Sequence, residues 1–96
     1  MNKSELSNLM LKIRDDRDEI AFSMLFDFIA PKLKAYFLQN RLSNENAEEL
    51  TQEVLSTVWS KSSKYDHSKS AVSTWIYTIA RNKKIDFLRK KANINT

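Results

Sequence analysis

An all-α bundle of four to five helices is the fold class that the sequence predicts, on three observations. The 96 residues include no glycine and a single proline, so almost nothing in the chain breaks a helix. Apolar residues recur at spacings of three and four, which is the helical period and not the alternation of a strand. Hydrophobic residues make up 42% of the chain, including five Phe, three Tyr and two Trp, which argues for one efficient core and against disorder.

The elements follow in order. Ser4 to about Arg14 places Leu6, Leu9, Met10 and Ile13 on one stripe, a short first helix. Asp15-Asp16-Arg17-Asp18 is a charged turn that offers an N-cap. From Asp18 to about Arg41 the pattern runs through Ala21, Phe22, Leu25, Phe26, Ile29, Leu33, Tyr36 and Phe37. Pro31 interrupts it, which predicts a kink near Phe28–Ala30 or a break into two helices. A third helix is expected to start within Ser43–Asn46, with Asn46 and Glu49 at capping-box spacing, and to reach about Ser60. Its stripe is Ala47, Leu50, Thr51, Val54, Leu55, Val58 and Trp59. Ser62 to Ser70 reads as the one long loop. A last helix begins near Ser70 or Ala71 and turns Val72, Trp75, Ile76, Ile79, Ala80 and Phe87 inward. Together these predict a core of Phe22, Leu25, Phe26, Ile29, Leu33, Phe37, Leu50, Val54, Val58, Trp75, Ile76 and Ile79. Residues 1–17 are expected to form an N-terminal helix and turn, 18–91 the main helical domain, and 92–96 a fraying tail or the start of a linker.

Composition excludes most chemistry. With no cysteine there is no disulfide, thiol nucleophile or cysteine zinc site, and one histidine cannot form a metal cluster. Without glycine there is no phosphate-binding loop or nucleophile elbow. No catalytic residue, no metal and no cofactor is therefore expected, and His67, in a loop, is given no catalytic role. The apolar runs are far shorter than the ~20 residues that cross a bilayer. The first residues carry no signal-peptide pattern, so a soluble, cytoplasmic protein without membrane contact is expected.

Charge divides the chain sharply. Residues 1–63 hold eight Lys/Arg and ten Asp/Glu, a net −2, whereas residues 64–96 hold eight and two, a net +6. The whole excess of the +4 chain lies in its final third. On the last helix, Tyr77, Arg81 and Lys84 fall at i, i+4 and i+7, flanked by Thr74, Thr78, Asn82 and Arg89. Cations that replace counterions, short polar groups and an aromatic are what a polyanion site needs. A solvated face with cations near a helix C-terminus has the same composition. Tyr65 and Tyr77 are the stacking candidates, while Trp59 and Trp75 sit at core phase. On the third helix, Glu49, Gln52, Glu53 and Ser56 line the side opposite the apolar stripe. Glu48, Glu49 and Glu53 have no basic partner at helical spacing, a mutual repulsion that a basic protein partner would relieve. A pair of carboxylates can also serve acid–base catalysis, but here no base or second ligand type accompanies it.

Ala47-Glu48-Glu49-Leu50-Thr51-Gln52-Glu53-Val54 with Val58-Trp59 resembles the A-E-D/E-L-x-Q-E/D-V…W stretch of region 2 in extracytoplasmic-function (ECF) sigma factors of the sigma-70 family. Tyr65-Asp66 matches its F/Y-D. Ser73-Thr74-Trp75-Ile76-Tyr77-Thr78-Ile79-Ala80-Arg81-Asn82 matches its W-I/L-Y/F-x-I-A-R-N, and Asp86-Phe87-Leu88-Arg89 its D-x-L-R. Upstream, Ala21-Phe22…Leu25-Phe26…Ala30-Pro31…Leu33 is similar to its A-F…L-Y/F…A-P…L. The chain departs from the pattern at Ser70, where glycine is frequent, and at Val72, where an aromatic is frequent.

The resemblance covers about residues 18–91 and implies a transcription initiation factor, not an enzyme. Such a factor binds core RNA polymerase and recognises and helps melt the promoter −10 element. It implies that Glu49, Gln52, Glu53 and Ser56 meet the clamp helices of the β′ subunit. It implies too that the single-stranded non-template −10 region is held by two neighbouring elements. One is the loop Tyr65, Asp66, His67, Ser68 and Lys69, with a pocket for a flipped base; the other is the helix face Thr74, Tyr77, Thr78, Arg81, Asn82, Lys84 and Arg89. An anti-sigma factor is a further candidate partner, and a monomer is expected. The family usually carries a second domain, region 4, so the sequence is expected to be one domain of a longer chain. Two other readings remain open. One is a helix-turn-helix domain for duplex DNA, which the loop of about nine residues fits poorly. The other is a helical protein-interaction module that does not bind DNA.

Overall fold

The computed structural model describes residues 1–94. It is built of helices α1 (Lys3–Asp16), α2 (Glu19–Gln39), α3 (Asn44–Ser60) and α4 (Val72–Ile94), with one 3-10 turn at Ser62–Lys64. The all-α expectation holds, with four helices around one core among the described residues. Among the same residues no helix is long and apolar enough to cross a membrane.

Side chains that compete with the helical backbone for hydrogen bonds define the starts of the first three helices. The Asn2 side chain accepts from the Glu5 N–H, the Asp18 side chain from Ala21, and the Ser43 hydroxyl from Asn46. The last corrects the expected capping box: Ser43 caps α3, and Asn46 sits in its first turn. Two turns need a left-handed residue, and arginine supplies both, Arg17 at φ 52° and Arg41 at φ 69°. Each costs roughly 1–2 kcal/mol relative to a right-handed conformation. At Arg41 the strain is offset by a Schellman-type ending, with Leu42 N–H bonded to the Phe37 carbonyl at 3.2 Å and Leu42 buried behind it.

Pro31 does not divide α2, which runs unbroken for 21 residues. Pro31 is exposed, and so is Asp27, whose carbonyl loses its helical donor to the proline, so water can replace the missing bond. The opposite face buries Ala21, Leu25, Ile29, Leu33 and Phe37. Leu6, Leu9, Met10 and Ile13 of α1 enter the same core, as do Ala47, Leu50, Val54, Leu55 and Val58 of α3. From α4 come Val72, Ile76 and Ala80. Phe26 corrects the expected core, being 37% exposed beside Phe22. Phe22, Trp75 and Ile79 are only half-buried, packed against the core from outside. Ala92–Ile94 fall within the span of α4, and residues 95–96 of the expected tail lie outside the described residues.

Candidate nucleic-acid and protein interfaces

Between α3 and α4 the chain must turn without glycine, and it does so with side-chain bonds. The Asp66 carboxylate accepts from the Ser68 N–H at 2.9 Å and the Ser68 hydroxyl at 2.6 Å, an Asx turn. Those two bonds, the hydroxyl first, hold the Asp66 carboxyl below its ordinary value. The Asp66 carbonyl takes the N–H of Lys69 at 3.1 Å. Tyr65 closes the loop: its hydroxyl donates to the Ser70 carbonyl at 3.0 Å, and its ring lies 5.4 Å from that of Trp75. Tyr65 is only 3% exposed, and burial pushes its phenol up from the usual value. It braces the loop and has no free face for a base, which corrects its expected stacking role.

α1 forms the other wall. Arg14 Nη1 reaches the Tyr65 carbonyl at 3.4 Å. A cavity of about 220 Å³ opens between the loop and α1, lined by Lys3, Ser7, Tyr65, His67, Ser70 and Ser73 among others. This is below the ~300–1,000 Å³ of drug-sized ligand sites. Of the expected loop residues, Tyr65 and His67 line it, whereas Asp66, Ser68 and Lys69 do not; Asp66 is half-buried and the other two are exposed.

On α4, Thr74, Thr78, Arg81, Asn82 and Arg89 are exposed as expected. Tyr77 is half-buried because α2 packs beside it: the Tyr36 ring meets the Tyr77 ring edge-on at 5.6 Å and 73°. That burial, with the neighbouring Tyr36, raises the Tyr77 phenol. Lys84 is also drawn toward α2, donating to Asn40 Oδ1 at 3.1 Å with its ammonium 5.4 Å above the Tyr36 ring. It keeps two of its three donors for a phosphate. Sequence periodicity does not reveal Tyr36 as part of this face, because its helix is distant in sequence and its contact depends on how α2 and α4 cross.

Glu49, Gln52, Glu53 and Ser56 are all exposed on α3. Glu48 corrects the expected unpaired trio: Lys34 of α2 donates to its Oε1 at 2.9 Å, a partner no intrahelical spacing could reveal. Beside this face a groove of about 470 Å³ runs between α2 and α3, with Phe26, Ala30 and Pro31 on one side and Thr51 and Gln52 on the other. The paired Lys34 and Glu48 also line it, so its floor is largely apolar and its rim carries both signs of charge. Next to it Arg17 pins the end of α3, donating to the Trp59 carbonyl and the Ser62 hydroxyl, each at 2.7 Å, with its guanidinium 3.9 Å above the Trp59 ring. Among the described residues no group of three or more His, Cys, Asp or Glu is arranged to hold a metal ion.

Comparison with known proteins follows the same segments. The family model Sigma-70 region 2 matches residues 25–94. The ECF RNA polymerase sigma factor RpoE of Cereibacter sphaeroides is 50% identical over 82 residues, 85% of this chain and 45% of that protein. The ECF RNA polymerase sigma factor SigK of Mycobacterium tuberculosis is 30% identical over 88 residues, 90% of this chain and 46% of that protein. The crystal structure of Rhodobacter sphaeroides SigE in complex with the anti-sigma ChrR superposes with a TM-score of 0.87 at 46% identity, covering 94% of this chain and 55% of that one. The chain spans about half the length of these relatives. A match over residues 25–94, from the middle of α2 through α4, means that the chain belongs to the sigma-70 region 2 family.

Proposed function

We propose that the chain is a promoter-recognising domain of an ECF-type initiation factor acting in the cytoplasm: it binds core RNA polymerase and captures the unpaired non-template strand of the −10 element. It carries out no bond chemistry, since the polymerase it joins is the catalyst. The observation that carries this reading is the side-by-side placement of a small loop cavity and an exposed cationic helix face, joined through Ser73. Flipping a base out of the stack costs a few kcal/mol, which a fitted cavity and neighbouring phosphate contacts can offset. In this reading the loop from Tyr65 to Ala71 takes the flipped base. Thr74, Tyr77, Thr78, Arg81, Asn82, Lys84 and Arg89 hold its neighbours and their phosphates. Glu49, Gln52, Glu53 and Ser56 meet the β′ clamp helices. The groove beside that face suits an anti-sigma factor as well, the kind of partner carried by the SigE structure.

The experiment is a pulldown with core polymerase followed by transcription from a bubble template. Retention on polymerase and preference for the single-stranded bubble over closed duplex are expected. Equal binding to duplex would instead indicate a helix-turn-helix mode, and no DNA binding even with polymerase would indicate an interaction module. Replacing Arg81 by Ala should lower affinity for all sequences and flatten the salt slope by roughly 0.7 on single strands. Changes at His67, Ser68 or Lys69 should alter which base is preferred, by about 1–3 kcal/mol.

A further inference from the structure

We propose that Tyr36, on α2, completes a second single-nucleotide subsite, next to the loop cavity and across Ser73 from it. The inference rests on the nucleic-acid reading above and adds to it a residue from a helix outside the loop and α4. Its ground is a groove of about 490 Å³ lined by Tyr36, Ser73, Thr74, Tyr77, Thr78 and Arg81. The two tyrosine rings stand at 73°, so they form a corner in which a base lying flat on one ring abuts the other. Tyrosine suits this position because its ring stacks on any base at little conformational cost.

The polar groups of the groove are arranged for a nucleotide. The Thr78 hydroxyl donates to the Thr74 carbonyl at 2.8 Å, which leaves its oxygen lone pairs to accept from a base edge. Arg81 is exposed and makes no side-chain hydrogen bond or ion pair among the described residues, so its guanidinium is available to a phosphate. Lys84 lies outside the lining of the groove, bonded to Asn40 with its ammonium over one face of the Tyr36 ring, so a base would stack on the other face. Ser73 lines both this groove and the loop cavity. Two cavities sharing a wall residue suit consecutive or near-consecutive nucleotides of one strand.

Stacking is tolerant of sequence, so the probe is a labelled oligothymidylate, read by anisotropy at low salt. Tyr36→Leu should weaken binding about fivefold or more, the low end of a base–aromatic stack, with an unchanged salt slope. Tyr36→Phe, which keeps the ring, should bind as the parent does. With 5-iododeoxyuridine in the strand, irradiation of the unmodified protein should give an adduct on Tyr36, a measurement that needs no variant to fold. A folded Tyr36→Leu protein that binds like the parent, or adducts confined to residues 65–71, would overturn the subsite. In that event continued loss of affinity in Arg81→Ala would leave the nucleic-acid reading standing. Failure of the unmodified protein to bind the strand, both alone and with core polymerase present, would remove both.

Discussion

Replacing Tyr65 by Phe separates a brace from a stacking platform, because it removes one oxygen and keeps the ring. The Tyr65 hydroxyl donates to the Ser70 carbonyl at 3.0 Å in a part-buried setting. Without it the Ser70 carbonyl loses its partner, and the variant should lose about 1–2 kcal/mol. In a domain of this size each kcal/mol lowers Tm by about 4–8 °C, well within reach of circular dichroism. Tyr65→Ala also removes a ring that is 3% exposed and packed on Trp75 at 5.4 Å, at a cost of about 3–5 kcal/mol. Against a total stability of about 5–15 kcal/mol, that is enough to threaten folding. The pH dependence has a definite sign. Burial raises the phenol above its ordinary 10.0, so its contribution is fully present below that pH and is lost as pH rises through the shifted value. Tyr65→Phe should remove that part of the alkaline loss. In DNA binding, the Phe variant should blur base preference with no change in salt slope, since the loop loosens and no phosphate contact is touched. If Tyr65→Phe melts with the parent and discriminates bases equally well, the clasp contributes nothing and the reasoning fails.

Glu49→Lys combined with Glu53→Lys should leave the melting temperature almost unchanged, because both side chains are exposed, yet abolish retention on core polymerase. The parent interaction should weaken as salt is raised; unchanged retention of the double variant would remove the assignment of this face. Arg17→Ala should destabilise by about 2 kcal/mol, through loss of the bonds to Trp59 and Ser62 and the stack on the indole. Arg17→Gly should be the more stable of the two by about 1 kcal/mol, because glycine relieves the left-handed φ of 52°; urea titration showing the reverse order would contradict that account. Asp66, held below its ordinary 3.8 by Ser68, contributes stability that is present above that value and is lost as pH falls through the depressed one. Ser68→Ala, which removes the hydroxyl bond and keeps the backbone one, should move the Asp66 carboxyl part of the way back toward 3.8 in an NMR titration, and an unmoved value would mean that the Ser68 hydroxyl does not hold the charge.

Much of the fold and half of the candidate surfaces are legible in the amino-acid sequence, for one physical reason: they depend on local periodicity. The stripe Leu6, Leu9, Met10 and Ile13, the spans of α1 and α3, and the exposure of Glu49, Gln52, Glu53 and Ser56 all follow from 3.6 residues per turn. The absence of glycine likewise announces helices. It does not reveal which residues take the left-handed turns, and that arginine does so at 17 and 41 is a matter of where the next helix must point.

What the sequence alone determined is therefore the helical class, the phase of α1 and α3 and the segregation of positive charge into the last third. Tertiary structure decided the rest. Tyr65 looks like an exposed loop aromatic, but a loop has no period from which burial can be read, and docking of Trp75 and Ser70 encloses it. Phe26 belongs to α2's broad apolar pattern, yet the stripe that faces α1 and α3 is Ala21, Leu25, Ile29, Leu33 and Phe37, and Phe26 is left at the edge. The pairing of Lys34 with Glu48, the reach of Arg17 to Trp59 and Ser62, and the corner of Tyr36 and Tyr77 join residues far apart in the chain. Their meeting depends on the angle and rotation at which helices cross, which is set by the whole core packing at once and by no single segment's spacing.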